Sequence, residues 1–535
     1  MPYRTTPESV GHSRARMNRR RLLALAGGGL ALAPGMPHAL AAESATPVAS
    51  PAPSFPIPST LAADASPEFR AVAEAVVAAM QAHQVPGVAL GILAGDREEH
   101  ATFGVASMSS LQPVMPETVF QIGSLTKTFT GTTVWGLHDE GAIDIDALVR
   151  TYLPNLQTAD PTVAEAVQVG NLLDHTAGWY GDEGFDTGNG DDALARYVDE
   201  RLPELAQIFP LGAFFSYNNA GFSLLGRLIE VATGTTYEAA VADRVFGPLG
   251  LHDTTLDRDD VLRRPYADGH YFGPVNGRNV LAVQTPLMLP RSVDPAGGIW
   301  STTRDVIRYA RFHLAAKAGA ASSQGAVVSN DSLVQMREPV VDAPGLPISM
   351  GRDWFVQEID GLRIISHNGD TTGQHTEFFA IPELDIAFVM FTNSSSGAGA
   401  ALQAVEAMVA TYPGLSGLAG KVGLNNASLV TPGTPTVDLP AEALDEYVGR
   451  YADAGGAFTI AREGDGLAIG FASIAEPGAL LTAITPPVST ATAPLAFTEK
   501  DAGVLRGIAR IPFVRDDAGK VGWIASGLRL IPRVE

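Results

Sequence analysis

The sequence predicts an α+β domain followed by a smaller all-β unit, and three observations lead there. Strand-like runs lie at both ends of the stretch from Pro67 to Tyr412, with helix-like segments clustered between them. A run of short strand-like segments punctuated by glycine turns fills residues 441–535. The composition, 46% hydrophobic and 18% charged over 535 residues, suits a large globular core.

Each part follows in order. Within residues 1–42, "MNRRRLLALAGGGLALAPGMPHALAAES" has Arg19, Arg20 and Arg21, an apolar stretch from Leu22 to Ala33, and Ala39-Leu40-Ala41. Basic start, apolar middle and small-residue site predict an export signal cleaved near Ala41 or Ala42. The paired arginines before two leucines resemble a twin-arginine signal. The apolar stretch falls short of the roughly 20 residues of a membrane span, so no lasting span is expected. Residues 43–66 are rich in Pro, Ala and Ser and read as a linker.

The first helix is expected from Pro67, with Ser66 as cap and Phe69, Val72, Val76 and Met80 at helical spacing. "VPGVALGILAGDREEHATFGVAS" reads as two strands around Gly95-Asp96. Helices are expected over Thr126 to Asp139, ended by Gly141, over Asn219 to Ala232, ended by Gly234, and after the Ser301/Thr302 cap. Strands return at "LRIISHNG", "TEFFAIP" and "DIAFVMFTN", and "ALQAVEAMVATY" closes with a helix. The domain expected over 67–412 therefore assembles its sheet from distant parts of the chain. A second linker is expected at 413–440, then a β domain over 441–535 with turns at Gly455-Gly456, Asp465-Gly466 and Ala518-Gly519.

A net charge of −22 argues against nucleic acid as a partner, since phosphates call for clustered Lys and Arg. Cysteine is absent, which excludes disulfides, thiol catalysis and cysteine-ligated zinc. With no metal-ligand spacing either, no metal or cofactor is expected. The expected partner is a small-molecule or peptide substrate, and nothing in the sequence sets an oligomeric state.

Chemistry concentrates in three stretches. "FQIGSLTKTFTG" sets Ser124 three positions before Lys127, the one lysine of five with such a serine. At that spacing on a helix the amine reaches the hydroxyl. A neutral lysine would activate the serine, and neutrality requires burial or a nearby positive charge. The apolar flanks Ile122, Phe129 and Trp135 suit burial. The alternative is a capping serine beside a solvent-facing lysine. "FFSYNNAGFSLLGRLIE" offers Tyr217, able to relay protons, and Asn219, able to bind an amide, or else a turn that caps the helix. "RIISHNGDTTGQHTEFF" offers His367 and Gly369 at a strand end, where the glycine admits close backbone approach.

In this order the stretches resemble the serine β-lactamase and penicillin-binding protein superfamily, in its class C β-lactamase, esterase and D-aminopeptidase branch. Ser124-Leu125-Thr126-Lys127 matches its Ser-x-x-Lys motif, Tyr217-Asn218-Asn219 its Tyr-x-Asn and His367-Asn368-Gly369 its His-x-Gly. "NLLDHTAGW" and "PAGGIWSTTRDVIRYARF" look like supporting signatures, His175 of the former being read as structural because it sits apart from the three motifs. The C-terminal stretch resembles the β-barrel appended to such hydrolases.

The resemblance implies an antiparallel sheet flanked by helices, with a helical subdomain. It implies acyl transfer through an acyl-serine at Ser124, with Lys127 and Tyr217 sharing the proton work and either one as base. It places Asn219, His367, Gly369 and Asp370 at the substrate, the N–H groups of Ser124 and Asp370 forming the oxyanion hole. The substrate would be a peptide, a D-amino-acid derivative, a small ester or a β-lactam. The alternative is a non-catalytic penicillin-binding-like protein that binds or acylates slowly without turnover. Two departures matter: His367 stands where many β-lactamases carry lysine, and Gln374 and His375 where relatives often show an aromatic. Histidine titrates near 6.5, so small neutral esters or amides are expected to outrun penicillins and cephalosporins. The C-terminal domain, lying after all three motifs, is expected to shape access rather than chemistry.

Overall fold

The computed structural model describes residues 55–534 apart from 183–184, 276–277, 317–326, 423–429, 431–433, 474–491 and 506–508. The expected export signal and half of the expected first linker, residues 43–54, lie outside the described residues.

Helix α1 (Pro67–His83) begins where the Ser66 hydroxyl accepts from the Phe69 N–H, with Pro67 at the first helical position. Strands β1 (Gly87–Ala94) and β2 (Arg97–Gly104) form a hairpin. The other strands of this sheet come from far along the chain. They are β3 (Val341–Asp342), β4 (Ser349–Met350), β5 (Phe355–Ile359), β6 (Leu362–Ser366), β7 (Gly369–Thr371), β8 (Gln374–Ile381) and β9 (Ile386–Thr392). The antiparallel order is β2-β1-β9-β8-β6-β5-β4-β3, with the short β7 also paired to β8.

Strands β8 and β9 are buried at every position, because both faces of the sheet are covered. Alternate side chains serve opposite faces. Leu90, Ile92, Phe388 and Met390 pack with α1 and with the last helix of the domain, α5 (Gly397–Thr411). Ala89, Leu93, Val389 and Phe391 pack with the helical region on the other side. That region contains α2 (Thr126–Asp139), α3 (Asn219–Thr233) and α4 (Thr303–Leu314).

Helix α2 is buried from Thr126 to Leu137, which its threonines tolerate because their hydroxyls find partners. Those of Thr128 and Thr133 donate to the Leu125 and Phe129 carbonyls, and Thr130 donates to that of Pro295. After α5, Leu415, Leu418 and Val422 remain part of the core shared with α1.

The C-terminal unit is an eight-stranded antiparallel meander, nearly closed into a barrel: β10 (Gly449–Ala452), β11 (Gly456–Glu463), β12 (Gly466–Ser473), β13 (Ala493–Glu499), β14 (Ala502–Leu505), β15 (Ala509–Arg515), β16 (Val521–Ser526) and β17 (Arg529–Pro532). The Val534 N–H donates to the Arg450 carbonyl at 2.8 Å and brings the last strand back to the first. Phe458, Ile460, Leu495, Phe497 and Phe513 fill the interior. One side of the barrel packs Trp523, Ala525 and Leu530 against Ile208, Phe209 and Phe214, on the segment that leads into Tyr217. The Trp523 indole donates to the Ile208 carbonyl at 3.0 Å. Among the described residues, no helix is long and apolar enough to cross a membrane.

Candidate active site

Ser124 lies in a tight turn, Gly123–Leu125, that runs straight into α2. The turn is held to the helical region by the Ile122 N–H, which donates to the Ile299 carbonyl at 2.9 Å. The Lys127 Nζ reaches the Ser124 hydroxyl at 3.3 Å, as the three-residue spacing requires. Lys127 is 0% exposed, so the solvent-facing alternative does not hold. Its amine donates to the Asn219 Oδ1 at 2.6 Å and to the Ala296 carbonyl at 2.7 Å.

Burial pushes the Lys127 amine well below its ordinary range, and the Arg529 charge pushes the same way against Asp182 and Asp353. A neutral amine has two N–H groups and one lone pair. With both N–H groups committed to carbonyl oxygens, the lone pair is left for the Ser124 O–H.

The neighbouring asparagines divide their work. Asn218 caps α3, its Oδ1 accepting from the Gly221 N–H at 2.8 Å and its Nδ2 donating to the Trp179 carbonyl at 2.7 Å. That leaves Asn219 free to reach into the site. Its Oδ1 faces Lys127 while its Nδ2 donates to the Asp182 Oδ1 at 2.9 Å, and the carboxylate fixes which end of the amide is oxygen.

Tyr217 is buried, with its ring near-parallel to Phe355 at 6.1 Å and 4.5 Å from the ring of His175. Its hydroxyl lies toward Ser124 without completing a hydrogen bond to any described residue. Burial pushes the phenol up, so its oxygen keeps its proton.

The third motif closes the opposite side. Gly123 has φ +55, and a methyl group there would sit 2.7 Å from the Asp370 nitrogen. One on Gly369 would collide with the Ile122 carbonyl and sit 3.0 Å from the Ser124 nitrogen. Two glycines thus let β7 lie against the serine turn, bringing the backbone of Ser124 and Asp370 together.

His367 is buried, and its Nδ1 lies 2.7 Å from the Asn368 carbonyl. A carbonyl only accepts, so Nδ1 carries the proton and Nε2 is a bare acceptor, without a partner among the described residues. Burial first, and Lys127 second, lower its pKa to about 3. The ordinary titration expected from the sequence is therefore absent.

Gln374 and His375, the departures at the end of the motif, are both buried and occupied. Gln374 accepts from the Gln121 N–H at 3.1 Å and donates to the Ala267 carbonyl at 3.1 Å. His375 stands between Asp370, at 2.8 Å, and Glu377, at 3.6 Å. Burial opposes its charge, but the two carboxylates outweigh burial and raise its pKa to about 10.

The structure thus brings Ser124, Lys127, Tyr217, Asn219, His367, Gly369 and Asp370 around one site. It also corrects the placement of His175, which is packed on Tyr217 and accepts from the Asn218 N–H at 3.0 Å, rather than sitting apart. Three participants had no readable signal. The Ala296 carbonyl is backbone, Asp182 belongs to no motif, and Arg529 arrives from the barrel to pair with Asp182 at 2.6 Å. The barrel thus touches the machinery itself, beyond shaping access. Among the described residues, no group of three or more His, Asp or Glu is placed to hold a metal ion.

Comparison with known proteins gives the family. Residues 72–411 match the family Beta-lactamase, a span that contains all three motifs. The chain belongs to the beta-lactamase family. Its similarity includes Penicillin-binding protein 4 of Amycolatopsis lactamdurans, 36% identical over 316 residues, covering 58% of this chain and 81% of that protein. A Beta-lactamase of Providencia stuartii is 26% identical over 337 residues, covering 59% and 84%. Among solved structures, SurE with D-Leu aligns with 87% of this family member and 99% of its own chain, with TM-score 0.66 and 24% identity. A class C beta lactamase from Rhodobacter sphaeroides covers 64% of this chain and 99% of its own, with TM-score 0.51 and 23% identity.

Proposed function

We propose that this family member is an exported serine hydrolase that cleaves an amide or ester through an acyl-serine at Ser124. The observation that carries this is the buried Lys127, whose two carbonyl partners leave its lone pair for the Ser124 hydroxyl 3.3 Å away. A protein that only bound its ligand would have no need to bury an amine at this cost.

In the proposed sequence, the Ser124 proton passes to the Lys127 amine as Oγ bonds to the acyl carbon. Negative charge on the acyl oxygen is met by the Ser124 and Asp370 N–H groups. The carbon–nitrogen or carbon–oxygen bond then breaks, and the leaving group takes a proton from the Tyr217 hydroxyl, which Lys127 replenishes. Water then attacks the acyl carbon and gives one proton to Lys127; the bond from that carbon to the Ser124 Oγ breaks, Oγ takes the proton back, and the free acid leaves. Between the two candidate bases, burial favours Lys127: it lowers the amine and raises the phenol.

His367 bears on the acyl group. A buried, neutral imidazole offers a carboxylate no positive charge to bind. This supports neutral esters, amides and D-amino-acid derivatives over acidic β-lactams. Similarity to penicillin-binding proteins and β-lactamases keeps β-lactams in any substrate screen.

A fluorophosphonate probe tests the proposal: it is expected to label Ser124, with Ser124→Ala abolishing both labelling and turnover of an activated ester. Label on another serine would overturn the assignment, and labelling without turnover would leave an acylated binder. The same label, followed through cell fractions, is expected outside the cytoplasm, given Arg19, Arg20 and the Ala-x-Ala site. Cytoplasmic label alone would oppose export.

A further inference from the structure

We propose that Arg529, delivered by the β16–β17 hairpin, is a positioning residue of the acylation site: it holds Asp182, and through Asp182 it orients the Asn219 amide against Lys127. The proposal rests on the acyl-serine function argued for Ser124.

The chain of contacts is continuous. Arg529 donates Nε to the Asp182 Oδ2 at 2.6 Å and Nη2 to Oδ1 at 2.7 Å, a two-point clasp. A third donor, Nη1, goes to the Gly527 carbonyl at 2.8 Å. The Asp182 Oδ1 also accepts from the Asn219 Nδ2 at 2.9 Å, and the Asn219 Oδ1 accepts from Lys127 at 2.6 Å. The guanidinium lies 4.6 Å from the centre of the Tyr217 ring, so it covers the second proton carrier too. Both side chains of the pair are nearly excluded from water, at 12% and 10% exposure.

The hairpin is built to deliver this residue. Gly527 and Leu528 both have positive φ, 56° and 69°, which gives a tight turn between the two strands. That conformation is unfavourable for leucine. Here the Leu528 carbonyl accepts from the Tyr217 N–H at 2.9 Å, and the Leu530 N–H donates to the Ser216 hydroxyl at 3.1 Å. The turn is thereby pinned to the very segment that carries Tyr217.

Charge explains why the pair matters. Asp182 favours the ammonium form of Lys127 and Arg529 opposes it; Asp353 acts with Asp182 only when ionised, and burial pushes its own carboxyl well above the ordinary range. The remaining titratable neighbours are held neutral: burial lowers His175 and His367 and raises the Tyr217 phenol, which also faces Asp370. Without Arg529, Asp182 would stand one amide away from Lys127 with no counter-charge.

The test is the pH dependence of fluorophosphonate labelling at Ser124 in the full chain, for wild type, R529Q, D182N and the double variant. R529Q leaves Asp182 unopposed and is expected to move the midpoint of labelling up by about one pH unit. Below the midpoint that is about a tenfold slower reaction. D182N leaves Arg529 unopposed and is expected to move the midpoint down, and the double variant to return it toward wild type. Opposite shifts that cancel are not the mark of a merely structural contact. Unchanged midpoints, or shifts of the same sign, would overturn the proposal, and D182N decides alone if R529Q does not fold. A wild-type protein that labels nowhere on Ser124 would instead sink the acyl-serine function.

Discussion

The two walls of the site are built in opposite ways. The serine wall is local: Ser124 and Lys127 share one turn, and their 3.3 Å contact follows from helix geometry. The facing wall is assembled from Asp182, Tyr217 and Asn219 of the family domain and Arg529 of the barrel, with Asp182 and Arg529 separated by 347 positions. In the proposed function, the local wall supplies the reacting atoms. The assembled wall supplies their protonation states, because burial and distant charges decide whether Lys127 holds a proton. A short motif can therefore specify a nucleophile without specifying whether it is active.

Changing the local wall should cost most. Lys127→Met is expected to lower kcat/KM for an activated ester by about 10²–10⁴, measured beside a folded-state control. A loss within about tenfold would shift the base role to Tyr217 and move the decisive chemistry to the assembled wall. In wild type, burial lowers the amine, so activity is expected to rise with pH at values well below those where a free lysine titrates.

A smaller effect is expected from His367. Its pKa near 3 keeps it neutral across the working range, so kcat/KM for a cephalosporin relative to a neutral ester is expected to show no step near pH 6.5. The ester should be favoured by about tenfold, the difference between a charged and a neutral hydrogen bond. A step near 6.5, or faster cephalosporin hydrolysis, would break the assignment of His367 as an acceptor.

The smallest effect concerns stability behind β7. His375 is raised from 6.5 to about 10 by its two carboxylates, against the pull of burial. A raised value means that the stabilisation is complete below about 6.5 and is lost as pH climbs through about 10. The Tm of the wild type is therefore expected to fall by a few degrees between about pH 8 and pH 10, and less so in His375→Gln. Equal slopes would show that the imidazolium does not hold Asp370.

Those two histidines, both buried and eight positions apart in the chain, mark where sequence stops being sufficient. Strand alternation, the Ser66 and Thr302 caps, the glycine-bounded hairpins and the Ser-x-x-Lys spacing are local properties, and the residues themselves determine them. So is the division between Asn218 and Asn219, since a cap and its neighbour necessarily point different ways. Ionisation is not local. His367 sits by aromatic rings and Lys127 and stays neutral, while His375 sits between Asp370 and Glu377 and stays charged. The Ala296 carbonyl on Lys127, the Asp182 clasp on Asn219 and the arrival of Arg529 likewise exist only after folding. The sequence by itself determined the candidate nucleophile and the elements this protein has. Only the tertiary structure decided which groups carry protons, because protonation depends on burial and on charges brought together from distant parts of the chain.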